Sequence, residues 1–275
     1  EGLGSSSVSD KQLIKIIKLK EVSRMNIVVA LKQVPDLQQI RIRNRQPILD
    51  DVPLTLGNID KNALEAAVTI KEAQGGNVIA LSAGDDNIED TIKEALAAGA
   101  DEAFMVVDDQ LQGAESSLVA TVLAAAVKKI DDVGLILFGE GSADNYSGQV
   151  GSRVAEILGL PQVGYAVSIE VDGSTAKVTR SLEDCDEVVE VNLPAVITVL
   201  ADINEARIPS VTQILKAGKK PKEVVELDEL DAQLPDHSPV ETLSNLAPDS
   251  QRKKVVVKSV DELIQSLAAE GLIRR

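Results

Sequence analysis

From Met25 onward, short apolar runs alternate with segments of helical period, and that alternation leaves the chain few architectures. Residues 26–31, 77–81, 103–107 and 134–138 are apolar almost throughout, the composition of strands buried on both faces. Between them, residues 60–73, 87–98 and 117–129 carry apolar side chains at helical spacing, with Asp60 expected to cap the first helix. Gly75-Gly76 and Gly99 supply stops. A strand–helix order of this kind predicts an α/β fold of three layers, a mostly parallel, Rossmann-like sheet with helices on both faces.

Ligands of such sheets lie beyond the carboxyl ends of the strands, near the switch in strand order. Three stretches should converge there: 32–36, 82–85 and 139–152. The last reads GEGSADNYSGQVGS. It leaves the apolar run that ends at Phe138 and enters a helix over 153–158, which Gly159 stops. Gly139, Gly141, Gly148 and Gly151 let the backbone come close to a ligand. Residues 149–152 stand where a helix amino terminus presents its free N–H groups, a setting that suits phosphate. The loop is no Walker A motif, for no Gly-Lys-Ser/Thr follows. Nor is it a full G-x-G-x-x-G, because Asp144 stands where the third glycine belongs. An ordinary turn of an α/β protein remains open on these residues alone.

Charge and composition narrow the partners. A net charge of −16 disfavours nucleic acid and anionic membrane surfaces. Hydrophobic residues make up 44% and aromatics 1%, so the core must be built from Val, Ile, Leu and Ala. One cysteine, Cys185, excludes an internal disulfide and a thiolate metal cluster, in keeping with a reducing, cytoplasmic setting. No apolar run has the roughly 18 residues of a membrane span, so no membrane insertion is expected.

The second half changes pattern. Residues 167–171 and 176–180 flank Asp172-Gly173, which predicts a β-hairpin insertion. Residues 188–192 alternate, and 195–200 form another apolar strand. A long loop over 201–212 and a short helix over 213–216 follow. Residues 228–251 read as an extended arm, and 260–272 as an amphipathic helix. The expected organisation is therefore an α/β nucleotide-binding core over 25–227 and a C-terminal arm and helix over 228–275. Residues 1–24 look foreign to the rest. Lys20-Glu21-Val22 is what a purine-rich ribosome-binding site would encode if translated, so 1–24 is read as an extension ahead of a native start at Met25, the alternative being a basic amphipathic arm that touches a membrane or a partner.

Catalytic groups are scarce. The lone His237 sits in the acidic, Pro-containing arm and is read as solvated. Zinc is not expected without a second His or a Cys cluster. Ser142 and Ser147 have no His nearby to activate them. Cys185 lies among Glu183, Asp184, Asp186 and Glu187, which disfavour a thiolate. What remains is a cofactor cradle without acid–base catalysts, compatible with a bound redox cofactor or with a stand-alone adenine-nucleotide sensor.

Several segments together carry a resemblance. Residues 28–36 (VVALKQVPD), 60–66 (DKNALEA), 139–151, 193–196 (LPAV) and 201–220 (ADINEARIPSVTQILKAGKK) resemble the beta, or small, subunit of electron transfer flavoproteins, and most closely the FixA-like, bifurcating branch. The resemblance implies a heterodimer with an alpha subunit that carries an electron-carrying FAD. It also implies a beta arm that embraces the FAD domain of alpha, and service to an acyl-CoA, lactate or similar flavin dehydrogenase. The beta core of such proteins binds AMP in one branch. In the bifurcating branch it binds a second FAD that takes a hydride from NADH and splits the electron pair. Carried over by position, Ala30, Asn58, Ile59, Asp60 and Ala83 fall on adenine- and ribose-contacting places, with Lys32 beside them. Asp144, Asn145, Ser147, Gly148, Gln149, Val150 and Gly151 fall on the phosphate loop, together with Gly139 and Ser142. Val211 falls on the apolar anchor that docks the partner dehydrogenase. The family often has Asn-Pro where Gly57-Asn58 stands, and Glu where Ser181 follows Arg180. The 32–36 stretch looks like the version found in bifurcating members, which favours FAD over AMP, with NADH as transient donor.

Overall fold

The structure, a computed structural model, describes residues 25–232, 234, 240–249 and 253–273. Expectations for residues 1–24 and for His237 lie outside them. Chain contacts divide the protein into two compact units, 1–40 with 49–242 and 41–48 with 243–275.

The larger unit is built on one nine-stranded sheet. In chain order its early elements are β1 (Asn26–Ala30), β2 (Gln33–Pro35), then, past the smaller unit's β3 (Arg41–Arg43) and β4 (Gln46–Ile48), β5 (Leu54–Leu56), α1 (Asn58–Gln74), β6 (Asn77–Gly84), α2 (Ile88–Ala98), β7 (Glu102–Val107), α3 (Ser116–Val127), β8 (Val133–Gly139) and α4 (Val150–Leu158). There follow β9 (Gln162–Asp172), β10 (Thr175–Ser181), β11 (Asp186–Asn192), β12 (Ala195–Val199), α5 (Val211–Ala217) and β13 (Lys222–Glu226). The sheet order is β11-β10-β9-β12-β8-β1-β6-β7-β13. Pairs from β9 through β12, β8, β1, β6 and β7 to β13 are parallel, whereas β10 and β11 add an antiparallel edge. Gly173, at φ 58, makes the turn between β9 and β10.

β1 explains the layering. Its alternate side chains enter different cores, both fully buried: Ile27 and Val29 join α1 and α2 on one face, Val28 and Ala30 join α3 and α4 on the other. That is why the strand reads as an unbroken apolar run. On one side of β1 the chain proceeds to β6 and β7, and on the other it returns to β8. The switch in strand order thus falls at β1, and the crevice above it lies between the ends of β1 and β8.

Four differences from expectation have local causes. Helix α1 begins at Asn58 with Gly57 at the N-cap position and no side-chain cap, so Asp60 is not its cap. β13 was not expected, because Lys222, Glu223 and Glu226 hide the strand pattern; as an edge strand beside β7 it needs only Val225 inward. The short β2 and β5 pair antiparallel, which makes the 32–36 stretch an anchored ribbon rather than a free loop. Residues 228–242 group with the larger unit, where Leu230 is buried, and 41–48 group with the C-terminal residues.

In the smaller unit β3 and β4 form a hairpin whose turn residues Asn44 and Arg45 have φ of 51 and 65. Its helix α6 (Val260–Ala269) is capped by Ser259, whose hydroxyl accepts from the Glu262 N–H at 3.2 Å. Among the described residues no helix is long and apolar enough to cross a membrane.

Candidate functional site

The site is organised by a carboxylate. Asp60, in the first turn of α1, accepts a hydrogen bond from the Lys32 backbone N–H at 2.7 Å and another from the Gly139 N–H. It therefore joins the end of β1 to the end of β8, the two lips of the crevice. Gly57 leaves it room, since a Cβ there would stand 3.1 Å from Asp60 Oδ2. Gly139 is required for the same reason: a Cβ on it would meet Asp60 Oδ1 at 2.6 Å. Burial pushes the Asp60 carboxyl up to about 7, against the two N–H donors and the Lys32 charge, which pull it down; Asp144 adds to the rise.

Lys32 projects beside it. Its ammonium donates to both oxygens of Asp144, at 2.9 and 2.7 Å, with the two side chains 45% and 33% exposed. Burial raises the Asp144 carboxyl, but Lys32, the Ser142 hydroxyl and the Asn145 N–H overcome it and hold it below the ordinary value. Asn145 Oδ1, 3.1 Å from the Ser142 hydroxyl, is the alternative acceptor for its single hydrogen. Lys32, Asp60, Gly139, Ser142, Asp144 and Asn145 thus form one connected group.

The rest of the loop is a folded flap. The Tyr146 hydroxyl donates to Glu140 at 2.5 Å and its ring lies over Gly141. Tyr146 holds φ 47, unusual for a bulky residue. Neither Tyr146 nor Glu140 was singled out from sequence, and the only signal was an aromatic residue in a glycine-rich loop of an aromatic-poor chain. Gly148, at φ 63, turns the chain into α4. No side chain caps that helix. Ser147 and Gln149 are exposed, and Gln149 Oε1 is engaged by Arg153 at 2.8 and 3.1 Å.

Other expected site residues divide by where their side chains go. Ala30 is buried in one core, whereas Ile59, Ala83 and Val150 pack against the cores only half-buried. Asn58 is exposed beside Ile59. Gly151 is buried, and a Cβ there would stand 2.7 Å from Thr198 Cγ2, so this glycine serves close packing of α4 on the sheet. Val211 opens α5 and is 74% exposed. Among the described residues no cluster of His, Cys, Asp and Glu could hold a metal ion.

The comparisons bear on what this crevice serves. A family model described as the electron transfer flavoprotein domain matches residues 48–230. The chain is 34% identical, over 88% of its length and 96% of the relative's, to an electron transfer flavoprotein subunit beta of Thermoanaerobacterium thermosaccharolyticum. It is 33% identical to that of Megasphaera elsdenii, over 90% of this chain and all of the other. It is also 38% identical, over 72% of its length and 76% of the relative's, to the caffeyl-CoA reductase-Etf complex subunit CarD of Acetobacterium woodii.

Proposed function

The chain belongs to the electron transfer flavoprotein family as a beta subunit, and from that membership we propose that its crevice holds FAD, with NADH as the electron donor and the FAD of an alpha subunit as the next carrier. The observation that carries the reading is the connected group of Lys32, Asp60 and Gly139 at the switch point, with the uncapped amino end of α4 close by in sequence. An uncapped helix end, a positive-φ glycine and an ammonium suit a pyrophosphate. Lys32 would exchange Asp144 for phosphate oxygens, and residues 148–152 would offer backbone N–H groups. Bound there, FAD supplies two-electron chemistry with NADH and one-electron chemistry with a second flavin.

The chain's own part is to hold and orient. The ribbon of β2 on β5 is fixed from below: Val34 is buried, and the Gln33 amide donates to the Asn87 carbonyl and the Thr91 hydroxyl, each at 2.7 Å. A fixed support at the end of β1 favours a flavin ring held in one pose, and misplacement is costly in rate. The similarity to a caffeyl-CoA reductase-Etf subunit supports a bifurcating role and a flavin dehydrogenase as final partner. The exposed run of Ile208, Val211, Ile214 and Leu215 would dock that dehydrogenase.

The test is a flavin count on the heterodimer followed by titration with NADH. Two FAD per heterodimer and bleaching by NADH are expected. One FAD with one AMP and no response would establish the non-bifurcating alternative. A colourless chain that co-purifies with ATP, without a large subunit, would make it a nucleotide sensor.

A further inference from the structure

The exposed run that leads into α5 stands on two feet, and the first rests on α1. The Asn62 amide donates to the Asn204 carbonyl at 2.8 Å, and the Asn204 amide donates back to the Asn62 carbonyl at 3.0 Å. A few residues on, two carboxylates hold the Arg207 guanidinium. Nε and Nη2 donate to the two oxygens of Glu65 at 2.7 and 3.0 Å, and Nη1 and Nη2 donate to those of Glu72 at 2.7 and 3.1 Å. The Arg207 backbone N–H adds a third bond to Glu65, at 3.1 Å. Asn62, Glu65 and Glu72 recur at helical spacing, so one face of α1 receives the whole foot.

The second foot rests on α2. Ala217, the last residue of α5, is buried. The Lys220 ammonium donates to the Leu96 carbonyl at 2.7 Å and to the Ala100 carbonyl, at the carboxyl end of α2. Between the feet, Ser210 caps α5 in a reciprocal bond with Gln213. What the feet carry is apolar and bare: Ile208 is 92% exposed, Val211 74%, Ile214 56% and Leu215 73%. A helix of seven residues is too short to be stable by itself, and these four side chains gain nothing from the core. The pose of the run is therefore set where it is tied down.

Resting on the reading of this run as the element that docks a flavin dehydrogenase, we infer that Arg207 is a positioning residue for that encounter: clamped between Glu65 and Glu72, it fixes the run in the pose in which Ile208, Val211 and Leu215 meet the partner. Arginine suits the task, because its planar fork engages two carboxylates at once and an ammonium does not. The Arg207 and Glu65 side chains are 28% and 13% exposed, whereas Glu72 is 56% exposed. Glu65 thus sets the direction of the guanidinium, and Glu72 closes the clamp from the solvent side. A run held in one pose has less freedom to lose on binding. A run that visits that pose only part of the time binds more weakly in proportion.

The heterodimer is assayed as electron acceptor of an acyl-CoA dehydrogenase. The acyl-CoA gives up two electrons, and dichlorophenolindophenol takes them from the flavoprotein. The variants are R207A, R207K, E72Q and V211A. R207A is expected to raise the KM for the heterodimer on the order of tenfold and to leave kcat within about twofold, because a loosened run docks less often yet passes electrons as before once docked. R207K keeps the charge without the fork and should fall between. E72Q keeps all three bonds to Glu65 and should raise KM by about two- to threefold, as loss of a partly exposed pair implies. Hydrogen exchange over 208–217 should quicken in R207A while that of α1 stays as it was. FAD content and bleaching by NADH should not change in the Arg207 variants, since no bond of the clamp involves a crevice residue. R207A with KM within about twofold of wild type, while V211A raises it, would overturn the inference alone and leave the clamp a support of the fold. Should R207A not fold, R207K and E72Q at wild-type KM would overturn it equally. V211A at wild-type KM, or a wild-type heterodimer that accepts no electrons from the dehydrogenase, would overturn the docking reading and the inference with it.

Discussion

Asp60→Asn should change how stability depends on pH more than stability itself. The carboxyl is buried, with its titration raised from 3.8 to about 7. Between those values the folded chain keeps a proton that the unfolded chain has lost. Stability therefore falls as pH rises through this window, and the cost is complete above pH 7. At about 1.4 kcal/mol for each pH unit, the gap corresponds to at most about 4 kcal/mol. Asparagine carries no such cost, but one of its two terminal atoms is an amide donor. Facing either the Lys32 or the Gly139 N–H, that donor leaves a buried group unsatisfied, at about 1–3 kcal/mol. The variant should then be less stable than wild type near pH 5 and level with it or more stable near pH 8. Urea denaturation of the two chains from pH 5 to 8 measures the difference directly. The expected slope approaches 1.4 kcal/mol per pH unit toward the variant, flattening above pH 7. A difference that does not vary with pH would refute the reasoning, because it would mean that Asp60 titrates alike in the folded and unfolded chains.

The remaining expectations concern the same crevice. Gly151→Ala should cost about 1–3 kcal/mol by forcing a methyl into Thr198 Cγ2, 2.7 Å from where it would stand; Thr198→Ser removes that methyl and should recover most of the loss in a melting assay. Lys32→Gln should leave the melting temperature almost unchanged, since an exposed pair with Asp144 is worth under about 1 kcal/mol, yet lower nucleotide content at least tenfold, as loss of a charged hydrogen bond of about 1.5–3 kcal/mol implies. Binding of an anion at Lys32 should draw its field from Asp60 and take up part of a proton near pH 7, visible in calorimetry as heats that differ between buffers of different ionisation enthalpy.

The sheet was legible where burial alone determines sequence. β1, β6 and β8 are covered on both faces, so their central positions are apolar apart from Ser82, whose hydroxyl donates to the Leu31 carbonyl, and their order follows from the helices between. β13 was not legible, because an edge strand may carry charge on most of its positions. β2, β5 and the β3–β4 hairpin were not legible either, being three residues each, too short for any period to register. The meander at the other edge announced itself through Asp172-Gly173.

The site shows why local rules locate a crevice better than they assign its parts. An acidic residue ahead of an apolar helical period is the usual mark of a cap, and by that rule Asp60 caps α1. The donors that claim it belong to Lys32, 28 positions earlier, and to Gly139, far later in the chain, and no window of sequence contains both. Three of the loop's four glycines behave alike in sequence and differently in space. Gly148 turns the chain at positive φ, Gly139 makes room for Asp60, and Gly151 lets α4 approach Thr198. Each is needed, but by a different neighbour, and only the first need is local. The same carboxylate that holds β1 to β8 also feels Lys32 and Asp144. A ligand that drew Lys32 away from Asp144 is therefore expected to shift the Asp60 titration, whose main cause, burial, it would leave in place.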